Sequence, residues 1–205
     1  VVGVVSTVMP GSCESCFRPV LEDWSGKACG KDFGLVYNPE FIALGSVIRD
    51  FLNPDLVLIG ASDDRSAGLV ENLYRSTCEN EPRMVRTSLI NAEIAKLSLN
   101  CFVTMKISFA NELASICEKV PGADVDAVTE ALGADTRIGP RCLKGGLGFG
   151  GTCFPRDNLA FQAFARGAGA EARLAPQVVA VNGAVVDRLF DRITEHVGAG
   201  GCVAL

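Results

Sequence analysis

From Ser88 to about Val120 the residues are apolar nearly all round a helical projection, interrupted by Asn91, Glu93, Lys96, Asn100, Asn111 and Glu112 among others. A helix apolar all round has to be covered on several sides. At ~1.5 Å per residue it extends on the order of 45 Å. A chain of 205 residues has little left with which to cover that length. The pattern therefore predicts a helical unit built around this helix. It also predicts a second copy of the chain as part of the cover, a homodimer through residues 88–120. Pro121-Gly122 ends the run.

The sequence before the helix changes period. Val1 to Val8 is a β-branched run closed by Pro10-Gly11, and Gly34 to Tyr37 reads as a second strand ended by Asn38-Pro39. Leu56 to Ile59, closed by Gly60, reads as a third, and Val85 to Thr87 as a short fourth. Ser12 is placed to cap a helix reaching about Leu21, and Ala67 to Cys78 is helical. Strands alternating with helices predict a parallel sheet, half of a doubly wound α/β fold. After the long helix, Asp124 to Leu132, Asn158 to Arg166 and Ala175 to His196 read as helices. Gly198 to Gly201 reads as a linker, and Cys202 to Leu205 as the start of another strand.

The bulk properties narrow the function. A net charge of −5 argues against a broad basic surface for nucleic acid. No apolar run matches the ~20 residues that span a membrane as a strongly apolar helix, and Val1 to Val5 lacks the flanks of a signal peptide. Nine cysteines are scattered, with Cys101, Cys117, Cys142 and Cys202 inside apolar stretches. That is the pattern of reduced core thiols in a cytoplasmic protein rather than of a disulfide framework. Cys13 and Cys16 have CxxC spacing, but there is no second pair and the sole histidine, His196, is distant. They read as helix-start residues, with a redox pair or a zinc site as the lesser alternatives and no metal expected.

The densest local signal is Gly145 to Asp157, with five glycines between Gly145 and Gly151, then Cys153, Pro155, Arg156 and Asp157. Glycine lets backbone approach a ligand closely. Pro155 suits a first helical position, so a helix starting near Arg156 would hold Cys153 close to a helix N-terminus and a guanidinium. Both neighbours favour a nucleophilic sulfur. The plain alternative is a surface turn beside an inert thiol.

Four segments resemble, in order, the UDP-glucose/GDP-mannose dehydrogenase family: Asn38-Pro39-Glu40-Phe41, Lys96 with Asn100, Arg137-Ile138-Gly139, and Gly150 through Asp157. The resemblance implies oxidation of a nucleotide sugar's primary alcohol to a carboxylate with NAD as cofactor. UDP-glucose is the first expectation and GDP-mannose the alternative. Cys153 aligns with the thiol that adds to the intermediate aldehyde, giving a thiohemiacetal and then a thioester. Lys96 and Asn100, one helical turn apart, align with the groups that stabilise developing negative charge. Asp157 aligns with an aspartate that positions water or shares a proton with the lysine. Glu40 aligns with a general base acting through water held by the residue matching Thr7. Thr7 and Arg156 are also implied on the cofactor side, Arg156 in place of a usual lysine.

For substrate binding the resemblance implies Arg137, reaching the neighbouring subunit's nucleotide sugar, with Lys144, Phe149 and Gly150 lining the pocket. One place departs: the family usually has a second glutamate four residues after the first, where this chain has Leu44. No strand followed by GxGxxG at a helix start occurs here. The expected architecture is thus the C-terminal part of a Rossmann-like parallel sheet (1–87), an all-helical central dimerisation domain (88–197), and the start of a further nucleotide-sugar-binding domain (198–205). On that division the 205-residue chain alone is expected to be inactive, a dimerisation fragment of a larger enzyme.

Overall fold

The computed structural model describes residues 1–43, 45–197 and 201. The expected linker around 198–200, the strand at 202–205 and the departure at Leu44 lie outside the described residues. The chain forms two compact units, Val1–Leu97 and Ser98–Leu205.

The first unit is a four-stranded sheet in the order β1 (Val2–Val4), β2 (Leu35–Tyr37), β3 (Leu56–Ala61), β4 (Arg83–Thr87). Strand alternation explains its two cores. Leu35, Tyr37 and Leu58 point to one face, where they meet Cys13, Leu89 and Ala92. Val36, Val57 and Ile59 point to the other, against Ala67 and Tyr74 of α3 (Asp64–Thr77). A strand covered on both faces is a continuous apolar run, and β2 is fully buried at all three positions.

The α/β class holds, with one correction to a wholly parallel sheet. The β1–β2 and β3–β4 pairings are parallel, and β2–β3 is antiparallel. The reason lies in residues 38–55. Among the described residues there, the one helix is the six-residue α2 (Val47–Leu52), which the sequence pattern did not show. A parallel return usually runs through a helix long enough to cover the sheet, whereas an antiparallel neighbour needs no such helix. The β1 run is also shorter than the expected Val1 to Val8.

The Ser12 cap is a second correction. Ser12 makes no side-chain cap hydrogen bond, and the chain enters a π-helical turn at Cys13–Phe17 before α1 (Arg18–Ser25). Asp63 caps α3, its carboxylate accepting the Ser66 N–H at 2.8 Å.

The long helix α4 (Leu89–Cys117) crosses from one unit into the other. Its first turns lie against β3 at Gly60, where an added Cβ would stand 2.6 Å from Ala92 Cβ and 3.0 Å from Ser88 O. Only glycine permits that approach. The second unit comprises the rest of α4, α5 (Val125–Ala134), α6 (Cys153–Gly167) and α7 (Leu174–Val197). Asp124 caps α5. Cys101 and Cys117 are half-buried, short of the core position expected of them. Cys142 departs further from it, exposed in a turn.

Gly60→Ala therefore tests the helix-on-sheet contact. We expect a loss of about 1–3 kcal/mol of stability, the usual range for overpacking a tight site, read as a lower thermal midpoint. A midpoint equal to wild type would show that α4 lifts off the sheet freely.

Candidate active site

In the first unit, the residues singled out from sequence gather on α4 and on the two loops that leave β1 and β2. Those strands are parallel, so both loops leave the same edge of the sheet, the position at which open α/β sheets hold ligands. Lys96 is buried at 8% exposure, and its ammonium donates to the Glu40 carbonyl and sits 4.3 Å from the Phe41 ring centroid. Glu40 is half-buried, and its Oε1 accepts the Tyr74 hydroxyl at 2.9 Å. Burial first, and then the Glu40 carboxylate, hold the Tyr74 phenol above its ordinary range. Thr7 is half-buried in the loop after β1.

Glu93, one turn before Lys96, is visible in the sequence only as a polar interruption of the helix. It is fully buried, and its two oxygens accept the backbone N–H groups of Gly11 at 2.6 Å and Cys13 at 2.8 Å. The Cys13 thiol beside it is pushed well up, mainly by burial and then by Glu93. Cys13 and Cys16 thus diverge, one into the core and one to the surface.

In the second unit the centre is Asp157. Its fully buried carboxylate accepts from Asn100 Nδ2 at 2.6 Å and from Arg156 Nε at 2.8 Å. A buried carboxylate is tolerable when its oxygens are paired in this way. The pairing with Asp157 is also the largest cause holding Arg156 above its ordinary value, and the Cys153 thiol adds to it. Asn158, next in sequence, donates to Thr104 Oγ1 at 3.0 Å and to the Phe154 carbonyl at 2.9 Å.

Helix α6 starts earlier than the sequence reading placed it. Cys153 is its first residue and Pro155 its third, so the exposed thiol occupies the first turn itself. Thr152 Oγ1 lies 3.8 Å from the sulfur. The glycine loop is held by two asparagines. Asn111 Oδ1 accepts the Gly146 N–H at 2.8 Å. Asn182 accepts the Phe149 N–H at 2.7 Å and donates to the Phe149 carbonyl at 2.9 Å. A Cβ at Gly148 would stand 2.6 Å from Asn182 Oδ1, so that clamp needs glycine there.

Phe149 also packs edge-on against Phe154. Gly150 and Lys144 are exposed. Arg137 is exposed and closes its guanidinium on both oxygens of Asp135, at 2.6–3.2 Å, which lowers the aspartate's pKa and raises its own. The backbone that follows is tied by Lys106, which donates to the Ile138 and Gly139 carbonyls.

The loops carrying Thr7 and Glu40 follow two parallel neighbouring strands, the end of an open α/β sheet at which a dinucleotide cofactor is held. Among the described residues, no glycine-rich segment both follows a strand and opens a helix, so the fit stops at that end.

Two family models match this chain. One describes the NAD binding domain of the UDP-glucose/GDP-mannose dehydrogenase family and covers residues 1–78; the other describes its central domain and covers 90–184. The cofactor implied by the resemblance, NAD, is thus the one named for the first of these domains. The chain is 39% identical over 198 residues to UDP-glucose 6-dehydrogenase AglM of Haloferax volcanii, covering 96% of this chain and 46% of that protein. It is 34% identical over 190 residues to a UDP-glucose 6-dehydrogenase of Rickettsia bellii, covering 93% of this chain and 42% of that protein. Among solved structures, a UDP-glucose dehydrogenase from the hyperthermophilic archaeon Pyrobaculum islandicum superposes with a TM-score of 0.83 at 36% identity, over 96% of this chain and 44% of that one. The chain spans about half the length of the curated relatives it matches.

The eight described cysteines are all free, and their environments differ enough to predict which reacts. The Cys101 thiol is pushed up to about 11, by burial and then by Asp157, so its thiolate and its labelling grow only at strongly alkaline pH. Cys13 is buried and suppressed further. Cys153 is exposed at the start of α6 with Arg156 a turn away. Mild iodoacetamide labelling near neutral pH, followed by peptide mapping, should modify Cys153 ahead of Cys16 and leave Cys13 and Cys101 untouched. Labelling at Cys13 or Cys16 with Cys153 inert would contradict this assignment.

Proposed function

This chain belongs to the UDP-glucose/GDP-mannose dehydrogenase family, and on that premise we propose that it is part of an NAD-dependent nucleotide-sugar 6-dehydrogenase converting UDP-glucose to UDP-glucuronate. The observation that carries the reading is an exposed thiol in the first turn of a helix, with a fully buried Asp157 one turn on, fixed by Asn100. The relatives named UDP-glucose 6-dehydrogenase favour UDP-glucose over GDP-mannose as the substrate.

In this reading the Cys153 thiolate forms a C–S bond to the aldehyde carbon made by the first oxidation. Asn100 and Lys96 stabilise the oxygen that becomes negative, as amide and ammonium donors. NAD, when bound, supplies the hydride acceptor for both oxidations, with Thr7 and Arg156 on its side of the site. Loss of hydride from the thiohemiacetal leaves a thioester on Cys153. Glu40 then takes a proton from water held by Thr7. The resulting hydroxide attacks the carbonyl, the C–S bond breaks, and carboxylate and thiolate separate. Asp157 keeps Asn100 oriented through these steps. Arg137, released from Asp135, offers a planar fork to a diphosphate on the neighbouring subunit. Lys144 and the loop at Phe149 and Gly150 line the sugar side.

We place the enzyme in the cytoplasm, to which its free thiols are suited. Among the described residues no helix is long and apolar enough to cross a membrane. The chain pairs with a copy of itself along α4. Phe102, Phe109 and Ile116 recur every seven residues on that helix and are 60%, 49% and 54% exposed, an apolar row along one side of it. A two-fold pairing is the usual way to cover such a row.

Two measurements test these statements. In the complete natural polypeptide, Cys153→Ser should reduce UDP-glucuronate formation by on the order of a thousandfold, ~4 kcal/mol of barrier, with NAD affinity kept. Wild-type turnover by that variant would remove the covalent role, and turnover only with GDP-mannose would change the substrate. Light scattering of the 205-residue chain should give roughly twice its 21.6 kDa mass. A cooperatively melting monomer would exclude the pairing.

A further inference from the structure

We infer that Glu93 is a positioning residue that sets the Thr7 loop for the hydrolytic half of the reaction. The inference rests on the role proposed for Thr7. The chain between β1 and the π-helical turn is pinned at both ends. At one end the Val4 carbonyl accepts the Asn38 N–H at 2.9 Å. At the other, the Gly11 and Cys13 N–H groups both end on the Glu93 carboxylate. Thr7 lies midway. The loop after β2 is fixed by the same helical turn, because Lys96 holds the Glu40 carbonyl. A closed circuit results. It runs from Val4 to Asn38, through Glu40 to Lys96, back one turn of α4 to Glu93, and on to Gly11.

The chemistry of the anchor is specific. Two convergent backbone N–H groups make a small anion-binding concavity. A carboxylate fills it with two acceptor oxygens and no donor. Ser12, adjacent to both N–H groups, makes no such bond, so the task falls to a residue about 80 positions away. A serine or a water would satisfy one N–H without fixing the loop to α4. Glutamine has nearly the shape of glutamate but presents one oxygen and one NH2 group. One of the two N–H groups would then face another donor, buried, with nothing to accept it. The fold would survive the loss of a single bond, but the loop would no longer have one position.

The test uses the complete natural enzyme with UDP-glucose and NAD, comparing Glu93→Gln, Glu93→Asp, Thr7→Ala and the Glu93→Gln/Thr7→Ala double variant. Folding is checked by circular dichroism and thermal melting. If Glu93 acts by placing Thr7, steady-state turnover in Glu93→Gln falls roughly tenfold, the effect of one lost hydrogen bond at an unsatisfied buried donor. A pre-steady-state burst of reduced nicotinamide appears, and intact-mass analysis of quenched enzyme finds an acyl adduct on Cys153. KM for UDP-glucose falls together with kcat and kcat/KM stays within about twofold, because only the breakdown of the adduct is slowed and no step leading to it is changed. Glu93→Asp, which keeps both acceptor oxygens, recovers part of the rate. The double variant is no slower than Thr7→Ala alone, as expected for residues acting through one another.

A folded Glu93→Gln with wild-type turnover, beside a slow Thr7→Ala, overturns the inference and leaves the proposed function standing. Slow turnover without adduct, or with penalties that add, overturns it too. A Thr7→Ala enzyme at wild-type rate refutes the role of Thr7 and the inference together. If Glu93→Gln does not fold, Glu93→Asp is judged by the same adduct and additivity criteria.

Discussion

The structure depends on a single polar stripe along an apolar helix. Glu93, Lys96, Asn100, Thr104, Ser108 and Asn111 follow one another at intervals of three or four residues on α4. That spacing keeps them on one side of a 3.6-residue helix. Each ties down something different. Glu93 takes the Gly11 and Cys13 amides, Lys96 the Glu40 carbonyl, Asn100 the Asp157 carboxylate. Thr104 takes Asn158, Ser108 the Val178 carbonyl, and Asn111 the Gly146 amide. Polar groups buried without partners are costly, so each of these contacts is close to obligatory. The helix is thus less a hydrophobic rod than a row of fixed attachment points.

This explains why the site residues are distributed as they are. Loops have few internal restraints, and a site built on them needs a rigid element to hold them. In the first unit the sheet provides the direction in which the loops leave, and one turn of α4 provides their anchorage. In the second unit the same helix supplies Asn100 and Asn111 to α6 and to the glycine loop. The tight contact at Gly60 keeps the helix at a fixed height above the sheet.

Much of this was readable in the sequence, for local reasons. The apolar length of α4 and the short apolar runs of β2 and β3 are patterns of adjacent residues, and these elements formed where they were read. Long-range pairings were harder to see. Glu93 looked like one more polar interruption because its partners are backbone amides some 80 residues away, which leave no trace in side-chain chemistry. Tyr74 was hidden in the same way, a helix residue whose hydroxyl finds Glu40 only after folding. The antiparallel return to β3 depended on how short α2 is, and a six-residue helix has too few positions to show a period. The start of α6 was misplaced by giving Pro155 the first helical position, when proline is accepted anywhere in the first turn, where its missing N–H has no partner to lose.

The clamp on Phe149 has a consequence for how such a protein ages under heat. Asn182 bonds both the N–H and the C=O of Phe149, as a neighbouring strand would, so a glycine-rich loop is held like an edge of sheet without belonging to one. Its order is on loan from α7. When the middle of that helix frays, the loop regains the freedom its glycines confer, whether or not the sheet and its cores have begun to melt. Loss of the loop's order then need not wait for the sheet to melt, and it starts from a helix some thirty residues further along the chain.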